Sequence, residues 1–464
     1  MNKCSEPIIS IGIMSAESIS FELKGDFLFM ENKIYGEKKL CFNAGKIVFE
    51  ENFFDEIIFE PYDNNSSFVL KNVMIGKEFH WQQTENQEFR GKLKFIVENN
   101  QITAVNLIRA EEYLISVISS EMSANASPEL LKAHAVISRS WLLANLKTNV
   151  SLLLGDSRLR ENDKNGLIDN TNNNCQLSIV NYQLVKWYER DAHSNYDVCA
   201  DDHCQRYQGI TRNTNPAVIQ AIKDTYGETL MYNKQICDTR FSKCCGGASE
   251  NFENCWADKH YEYLTKVIDN EVQNSRFKVQ IHPLPPPAVD NPVDLTVEKN
   301  AEEWILTEID AFCNTKDKHI LSQVLNNYDQ ITTDFFRWKV VYSVQEISDI
   351  VKKRSGIDFG EIIDLVPVKR GESGRIVELK IVGEKQTVIV GKELEIRKWL
   401  SNTHLYSSAF VVEKTGNGFI LRGGGWGHGV GLCQIGAAVM GERGYTYRQI
   451  LAHYFKNTQL EIIY

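Results

Sequence analysis

EEYLISVISSEMSANASPELLKAHAVISRSWLLANL, Glu111 to Leu146, is the stretch on which the fold turns. Leu114, Val117 and Ile118 fall on one helical face, and Glu121 lies four and three residues beyond the last two, which puts a carboxylate on the apolar stripe. Desolvation there disfavours the charged form and raises the pKa toward the range of a general acid. If the helix instead stops short, Glu121 caps it or reaches water. Ser127 followed by Pro128 is an N-cap and first-turn pair, and the helix it opens is apolar nearly all round, so it belongs in an interior. On that second helix Arg139 sits between Val136 and Leu143, a buried cation that calls for either an ion pair or a substrate contact. His134 shares a face with Leu130, Ile137 and Trp141 and reads as a satisfied core histidine.

Upstream of this pair the period is two. IISIGI, SISFEL, KIVFEE, KLKFIVE and ITAVNLI are separated by polar, Gly or Asn breaks, which predicts a β-rich region in the form of a meander or small barrel. Downstream, residues 149–175 are Asn/Asp-rich, and HPLPPPAVDNP (282–292) is the sharpest break in the chain. AEEWILTEIDAF and ILSQVLNNY then read as helices, EISDIVKKRSG as another, and RIVELKIVG with KQTVIVG as a hairpin. TYRQILAHYF opens with the capping box Thr446 and Gln449. The fold class is therefore α+β: a mixed β-rich domain of strands and hairpins, a buried helical pair, and an inserted helical segment. Residues 1–90 read as an N-terminal β-rich region, either a separate domain or the first part of the catalytic one, and 91–464 as the main domain with an insertion at about 268–337.

The chain has 464 residues, 43% apolar, with 51 basic and 61 acidic side chains giving a net charge of −10. That size supports a proper core, and the acidic balance without long charge blocks excludes a dedicated nucleic-acid binder. No apolar run is long enough for a transmembrane segment, and the first residues lack the pattern of a signal peptide. Eleven cysteines is an odd number, so not all pair internally.

Three clusters carry chemical interest. His193, Cys199, His203 and Cys204 supply the donor types and number of tetrahedral zinc, although the spacing is unlike a zinc finger and the adjacent His203 and Cys204 would have to turn to one ion. The competing readings are a disulfide or two idle thiols. CDTRFSKCCGGASENFENCWAD offers Gly246 and Gly247 for close backbone approach and Glu250, Glu253 and Trp256 to line a cleft, or else makes a turn between strands. Cys244 and Cys245 could equally form a redox pair. In GGGWGHGVG, Gly423 to Gly431, neither G-x-x-x-x-G-K-[ST] nor G-x-G-x-x-G occurs, which rules out a phosphate cradle. Trp426 can stack on a sugar face and His428 can donate or accept a hydrogen bond.

Taken together, these stretches resemble the SpoIID/LytB family. Glu111 to Leu146 is similar to its Glu-Tyr-Leu helix, Ser-Glu-Met and Lys-Ala-x-Ala-Val-x-x-Arg signature. CQRYQG is similar to its Gln-x-Tyr-x-Gly, GGASENFENCW to its Gly-Gly-x-x-Glu-Asn run ending in Trp, and GWGHGVGLCQIGAAVMGERGYTYRQILAHYF to its C-terminal signature. The matches run in order over roughly residues 90 to 464. Two departures put thiols where the family often has hydroxyls: Lys243-Cys244-Cys245-Gly246-Gly247 for Ser-x-Ser-Gly-Gly, and Leu432-Cys433-Gln434-Ile435-Gly436 for Met-Ser-Gln-Trp-Gly. The segment from about 268 to 337 also looks longer than the usual family connection.

The resemblance implies a bacterial peptidoglycan lytic transglycosylase that cleaves the MurNAc-GlcNAc bond to give 1,6-anhydro-MurNAc ends, with Glu121 as the single acid/base. It implies substrate contacts from Arg139, Gln205, Tyr207, Gly246, Gly247, Glu250, Trp256, Trp426, His428 and Gln434. It also implies zinc at His193, Cys199, His203 and Cys204. The expected partner is the glycan strand of the cell wall, in the envelope or periplasm, with a cytoplasmic location left open by the missing leader pattern. The alternatives are a muramidase using Glu250 as a second carboxylate, a zinc-dependent peptidoglycan amidase, and a non-catalytic glycan-binding cell-wall protein.

Overall fold

Alternating burial of Ile9, Ile11 and Ile13 fixes the first strand, Ile8–Ala16, with one face in the core. It pairs antiparallel with Gln101–Arg109, Ile8 opposite Arg109 and Ala16 opposite Ile102, so the start and end of the N-terminal β region lie side by side. From there an eleven-stranded sheet runs outward through Lys92–Glu98, Glu56–Pro61, Ser18–Phe29 and Asn32–Asn43 to Lys46–Phe49 and Asn52–Phe54. Ser67–Ile75 and Gln83–Phe89 branch from Ser18–Phe29. Asn99 and Asn100, both at positive φ, make the tight turn between the strands on either side of them. The expected meander is thus one branched, largely antiparallel sheet. On its free edge the two-residue strand Val198–Cys199 adds in parallel, Val198 beside Ile11 and Cys199 beside Gly12. The computed structural model describes residues 5–76, 83–123, 125–146, 182–187, 193–201, 203–211, 215–271, 293–324 and 332–464. The Asn/Asp-rich segment 149–175 and the proline run 282–292 lie outside them.

The helical pair follows directly. Ala110–Glu121 buries Tyr113, Leu114, Val117 and Ile118, and Pro128–Ala144 is buried from Leu130 to Leu143 save Lys132, as its all-round apolar sequence requires. Ser127 accepts a hydrogen bond from the Leu130 amide with Pro128 in the first turn, so the sequence signal for this N-terminus holds. These helices share one core with the large sheet and with the closing helices Gln434–Glu442 and Tyr447–Tyr454. The capping box at Thr446 and Gln449 is present.

Residues 338–421 build a second core. Here Ile362–Arg370, Ile376–Gly383 and Thr387–Gly391 form a sheet that takes Tyr182–Val185 on its edge, and Arg337–Ser343, Gly418–Gly424 and Phe410–Thr415 form another. Helix Val344–Ser355 is capped by Ser343 and ends at Gly356, whose left-handed φ of 74° suits a residue without Cβ. The insertion supplies Glu298–Leu306 and Lys318–Val324. Among the described residues no helix is long and apolar enough to cross a membrane.

Candidate active site

Glu121 is the last residue of the first helix and is only half-buried, so the second of the two readings of its position applies: the apolar stripe ends at Ile118 and the carboxylate emerges at the helix end. Met122, which follows, is already extended and donates its amide to the Ile118 carbonyl. Just before it, the hydroxyls of Ser119 and Ser120 are buried without a hydrogen-bond partner among the described residues.

The turn after Glu121 is held from the insertion. Gln323, fully buried, accepts the Ser123 amide on its carbonyl at 2.9 Å and the Ser127 amide on its side chain at 3.0 Å, and donates to Glu442 at 2.5 Å. On the other side Gln434 donates to His134 Nε2 at 3.0 Å and touches Met122 Sδ at 3.8 Å. Nothing in the sequence spacing marked Gln323, because its role arises only when the helix Lys318–Val324 packs on the helix Gln434–Glu442.

His193, Cys199, His203 and Cys204 come together, their donor atoms all within 4.8 Å of one another. Cys204 Sγ lies 3.3 Å from His193 Nε2 and 3.4 Å from His203 Nδ1, and Cys199 Sγ lies 3.9 Å from the same nitrogen of His203. Adjacent His203 and Cys204 therefore do turn to one point. A tetrahedral zinc with bonds of about 2.0–2.3 Å needs neighbouring donors roughly 3.3–3.8 Å apart; the two separations at Cys204 meet that range and the Cys199–His203 separation lies just beyond it, so the donor types suit that ion and a small closing shift would complete the set. Strand pairing of Cys199 with Gly12 and the stacking of His193 on Tyr196 at 4.9 Å fix two of the four donors. A hydrogen bond from Cys204 pulls the Cys199 thiol down, against burial, with His203 adding to the pull. A cavity of about 530 Å³ opens beside the cluster, lined by His193, Cys199, His203, Tyr207 and the edge of the N-terminal sheet at Gly12–Ser15.

Tyr113, on the same helix as Glu121, packs on the segment that follows the cluster. Its hydroxyl is pushed well up, first by burial and then by the fields of Cys204, Cys199, Tyr207 and Glu121. The Tyr113 ring stacks on Tyr207 at 5.1 Å, and its hydroxyl donates to Gln205 Oε1 at 3.3 Å.

Several residues expected to touch substrate are placed inside the protein, and their reading is corrected. Arg139 is completely buried and makes the ion pair: Nε and Nη2 donate to the two oxygens of Glu111 at 2.8 and 2.7 Å, and Nη1 to the Glu228 carbonyl. Its partner is Glu111, one face round the helix from Glu121. Gln205 donates to the Ser138 carbonyl and Tyr207 to Asn106 at 2.6 Å, so the Gln-x-Tyr-x-Gly segment docks the Cys/His cluster on the helical pair. Glu250, also fully buried, accepts from the Asn251, Glu372 and Ser373 amides, Asn254 Nδ2 and the Ser373 hydroxyl. With its oxygens saturated it is a clamp on the turn at 371–373, which also removes it as a muramidase base. Gln434 is buried against His134 as described, and Gly246 and Gly247, both at positive φ, pack on Gly424–Gly425 and Ile309.

Three aromatic candidates stay near the surface. Trp426 is sandwiched between Tyr406 at 4.2 Å and Phe335 at 4.6 Å. Trp256 takes the Arg240 guanidinium over its ring at 4.0 Å and the edge of His428 at 5.0 Å. His428 accepts the Val430 amide on Nδ1 at 3.0 Å and has a further bond to the Phe241 backbone. Packing around the ring, with Arg240, Arg375 and Arg397 nearby, holds it well below the usual histidine range. Neutral and bonded to backbone at both ends, His428 holds the glycine loop.

Fold and site define an α+β protein with a half-buried helix-terminal carboxylate and a separate Cys2His2 cluster. The Stage II sporulation protein (SpoIID) family model matches residues 98–232, so this part of the chain is similar to that family. A Domain of unknown function (DUF8618) matches residues 250–431. The chain is 24% identical over 80% of its length to an uncharacterized protein of Brachyspira hyodysenteriae, covering 72% of that protein. It is likewise 24% identical over 77% of its length to the Stage II sporulation protein D of Bacillus subtilis, covering 76% of it. Similarity extends at 22% identity over 55% of this chain to the amidase enhancer of Bacillus subtilis, covering 34% of that protein.

Proposed function

We propose that this protein acts on the bacterial cell wall as a peptidoglycan lytic transglycosylase with Glu121 as its acid/base. The observation that supports the reading is the position of Glu121: it is a half-buried carboxylate at the end of a buried helix, and the residues that follow it are tied down by Gln323, at Ser123 and Ser127, and by Gln434, at Met122. Protonated Glu121 donates to the glycosidic oxygen beyond N-acetylmuramic acid as the C1–O bond breaks. The carboxylate then takes the proton from that sugar's C6 hydroxyl as the hydroxyl oxygen bonds to C1, closing the 1,6-anhydro ring. No water is consumed, so one carboxylate suffices where a hydrolase needs two.

His193, Cys199, His203 and Cys204 would hold zinc, which supplies a fixed cross-link between the edge of the N-terminal sheet and the segment leading to Gln205 and Tyr207. Four protein donors leave no position for an activated water, which weighs against the zinc-amidase alternative. The test is digestion of purified peptidoglycan by wild type and Glu121→Gln, with mass spectrometry of the products. Anhydro ends from wild type alone are expected. Hydrated ends, released stem peptides, or equal products from both proteins would defeat the proposal.

A further inference from the structure

A second group of metal-binding side chains lies in the core, away from the Cys/His cluster. Cys433 sits on the parallel ladder where Phe241–Ser242 meets Leu432–Cys433, Cys245 lies just beyond the first of these strands, Asp269 follows the bridge of Ala248 to Ile268, and Cys313 comes from the insertion. Four segments far apart in sequence therefore converge, and one donor atom from each lies within 4.8 Å of the others. All four residues are buried. Cys245 Sγ is 3.5 Å from Cys313 Sγ, and Cys433 Sγ accepts the Cys245 amide at 3.2 Å.

We propose that Cys245, Cys313, Cys433 and Asp269 form a second, structural metal centre for a soft divalent ion, zinc by its donor chemistry. Three thiolates and one carboxylate are a closed tetrahedral set, as a structural rather than catalytic site requires. The surroundings are arranged for a metal-bound thiolate. An N–H donor already points at Cys433, and that residue stands at the N-cap position, beside the positive end of the helix Gln434–Glu442. Asp269 is oriented by the Cys313 amide at 3.0 Å and the Tyr454 hydroxyl at 2.6 Å, the outer partners that ligating carboxylates need. Arg337 donates to the Gly246 carbonyl at 3.1 Å, which brings a cation beside Cys245 and offsets the negative charge of the loaded site. On binding, each ligating thiol releases its proton to solvent as its sulfur bonds to the ion. Buried thiols packed only to fill space have no need of such donors and cations. The consequence is architectural: one ion ties the insertion, through Cys313, to the strand pair that carries the glycine loop.

The full chain, purified without chelator, is assayed for zinc by mass spectrometry, alone and as Cys199→Ser/Cys204→Ser, which disables the first cluster. Wild type is expected to hold two equivalents and the double variant one. Cobalt loaded into the double variant should show thiolate charge-transfer and tetrahedral d–d bands, and both the bands and the remaining zinc should be lost on adding Cys313→Ser. A folded double variant with neither zinc nor the cobalt spectrum would overturn the proposal. So would unreduced wild type in which Cys245 and Cys313 are joined as a disulfide, read by alkylation mapping.

Discussion

His134 should make the protein lose stability on mild acidification by a calculable amount. The ring is fully buried, with Phe241 edge-on at 4.6 Å. Gln434 donates its amide to Nε2, which assigns the ring proton to Nδ1 and its bond to Ser138 Oγ at 3.2 Å. A second proton on Nε2 would set donor against donor. Burial first, and the charge of Lys243 second, bring the pKa from 6.5 down to about 3. Because the folded value lies below the unfolded one, the unfolded chain takes the proton first. The stability contributed by neutral His134 is complete above pH 6.5 and drains as pH falls toward 3. The slope approaches ~1.4 kcal/mol per pH unit, so about 2 kcal/mol is lost between pH 8 and pH 5. The assay is urea unfolding of wild type and His134→Gln at pH 8, 6.5, 5 and 4.5, read by tryptophan fluorescence. The variant has no titrating group at this position, so the gap between the two proteins should shift by that amount at pH 5. Parallel pH curves would refute the reasoning, and would mean that His134 is protonated in both states or in neither.

The other predictions concern buried polar partners. Arg139→Met leaves the Glu111 carboxylate, among the described residues, with only the Tyr464 hydroxyl and the Gly227 amide, and should cost about 3–5 kcal/mol. Arg139→Met/Glu111→Leu should recover most of it in thermal melts, whereas an unshifted single variant would show that the pair adds nothing. Gln323→Ala removes the side-chain tether of Ser127 and should cost about 1–3 kcal/mol while lowering kcat on glycan strands with KM little changed. Unaltered turnover would free Glu121 from dependence on the insertion.

Periodicity carried the secondary structure well where local chemistry decides it. The Ser127-Pro128 start, the Thr446 box and the hairpin ending at Gly391 depend on neighbours in sequence and appear where the pattern put them. Side-chain partners were less legible, since they depend on which segments meet. Arg139 and a buried acid were both visible, yet the chosen acid is Glu111, set by the turn of the first helix and the approach of Tyr464 from the C-terminus. Cys313 and Asp269 gave no local signal at all, because their neighbours are Cys245 and Cys433 from other segments.

The glycine loop shows how a correct observation about freedom yields the wrong partner. Gly425, Gly427, Gly429 and Gly431 all take left-handed φ between 75° and 98°, as so open a sequence allows. What comes close to them is the protein itself. A Cβ on Gly429 would lie 2.3 Å from the Arg375 guanidinium carbon, and one on Gly431 2.1 Å from the Arg240 carbonyl oxygen. Arg375, fully buried, fills the space left by the missing side chains and donates to the Gly427 and Cys245 carbonyls and to the Ser373 hydroxyl. Ser373 in turn donates to Glu250, whose own amide donates to the Gly429 carbonyl. The loop, the turn at 371–373 and the Cys-Cys-Gly-Gly segment are thus one hydrogen-bonded unit built around a single buried cation. Its glycines are required because an arginine has to pass.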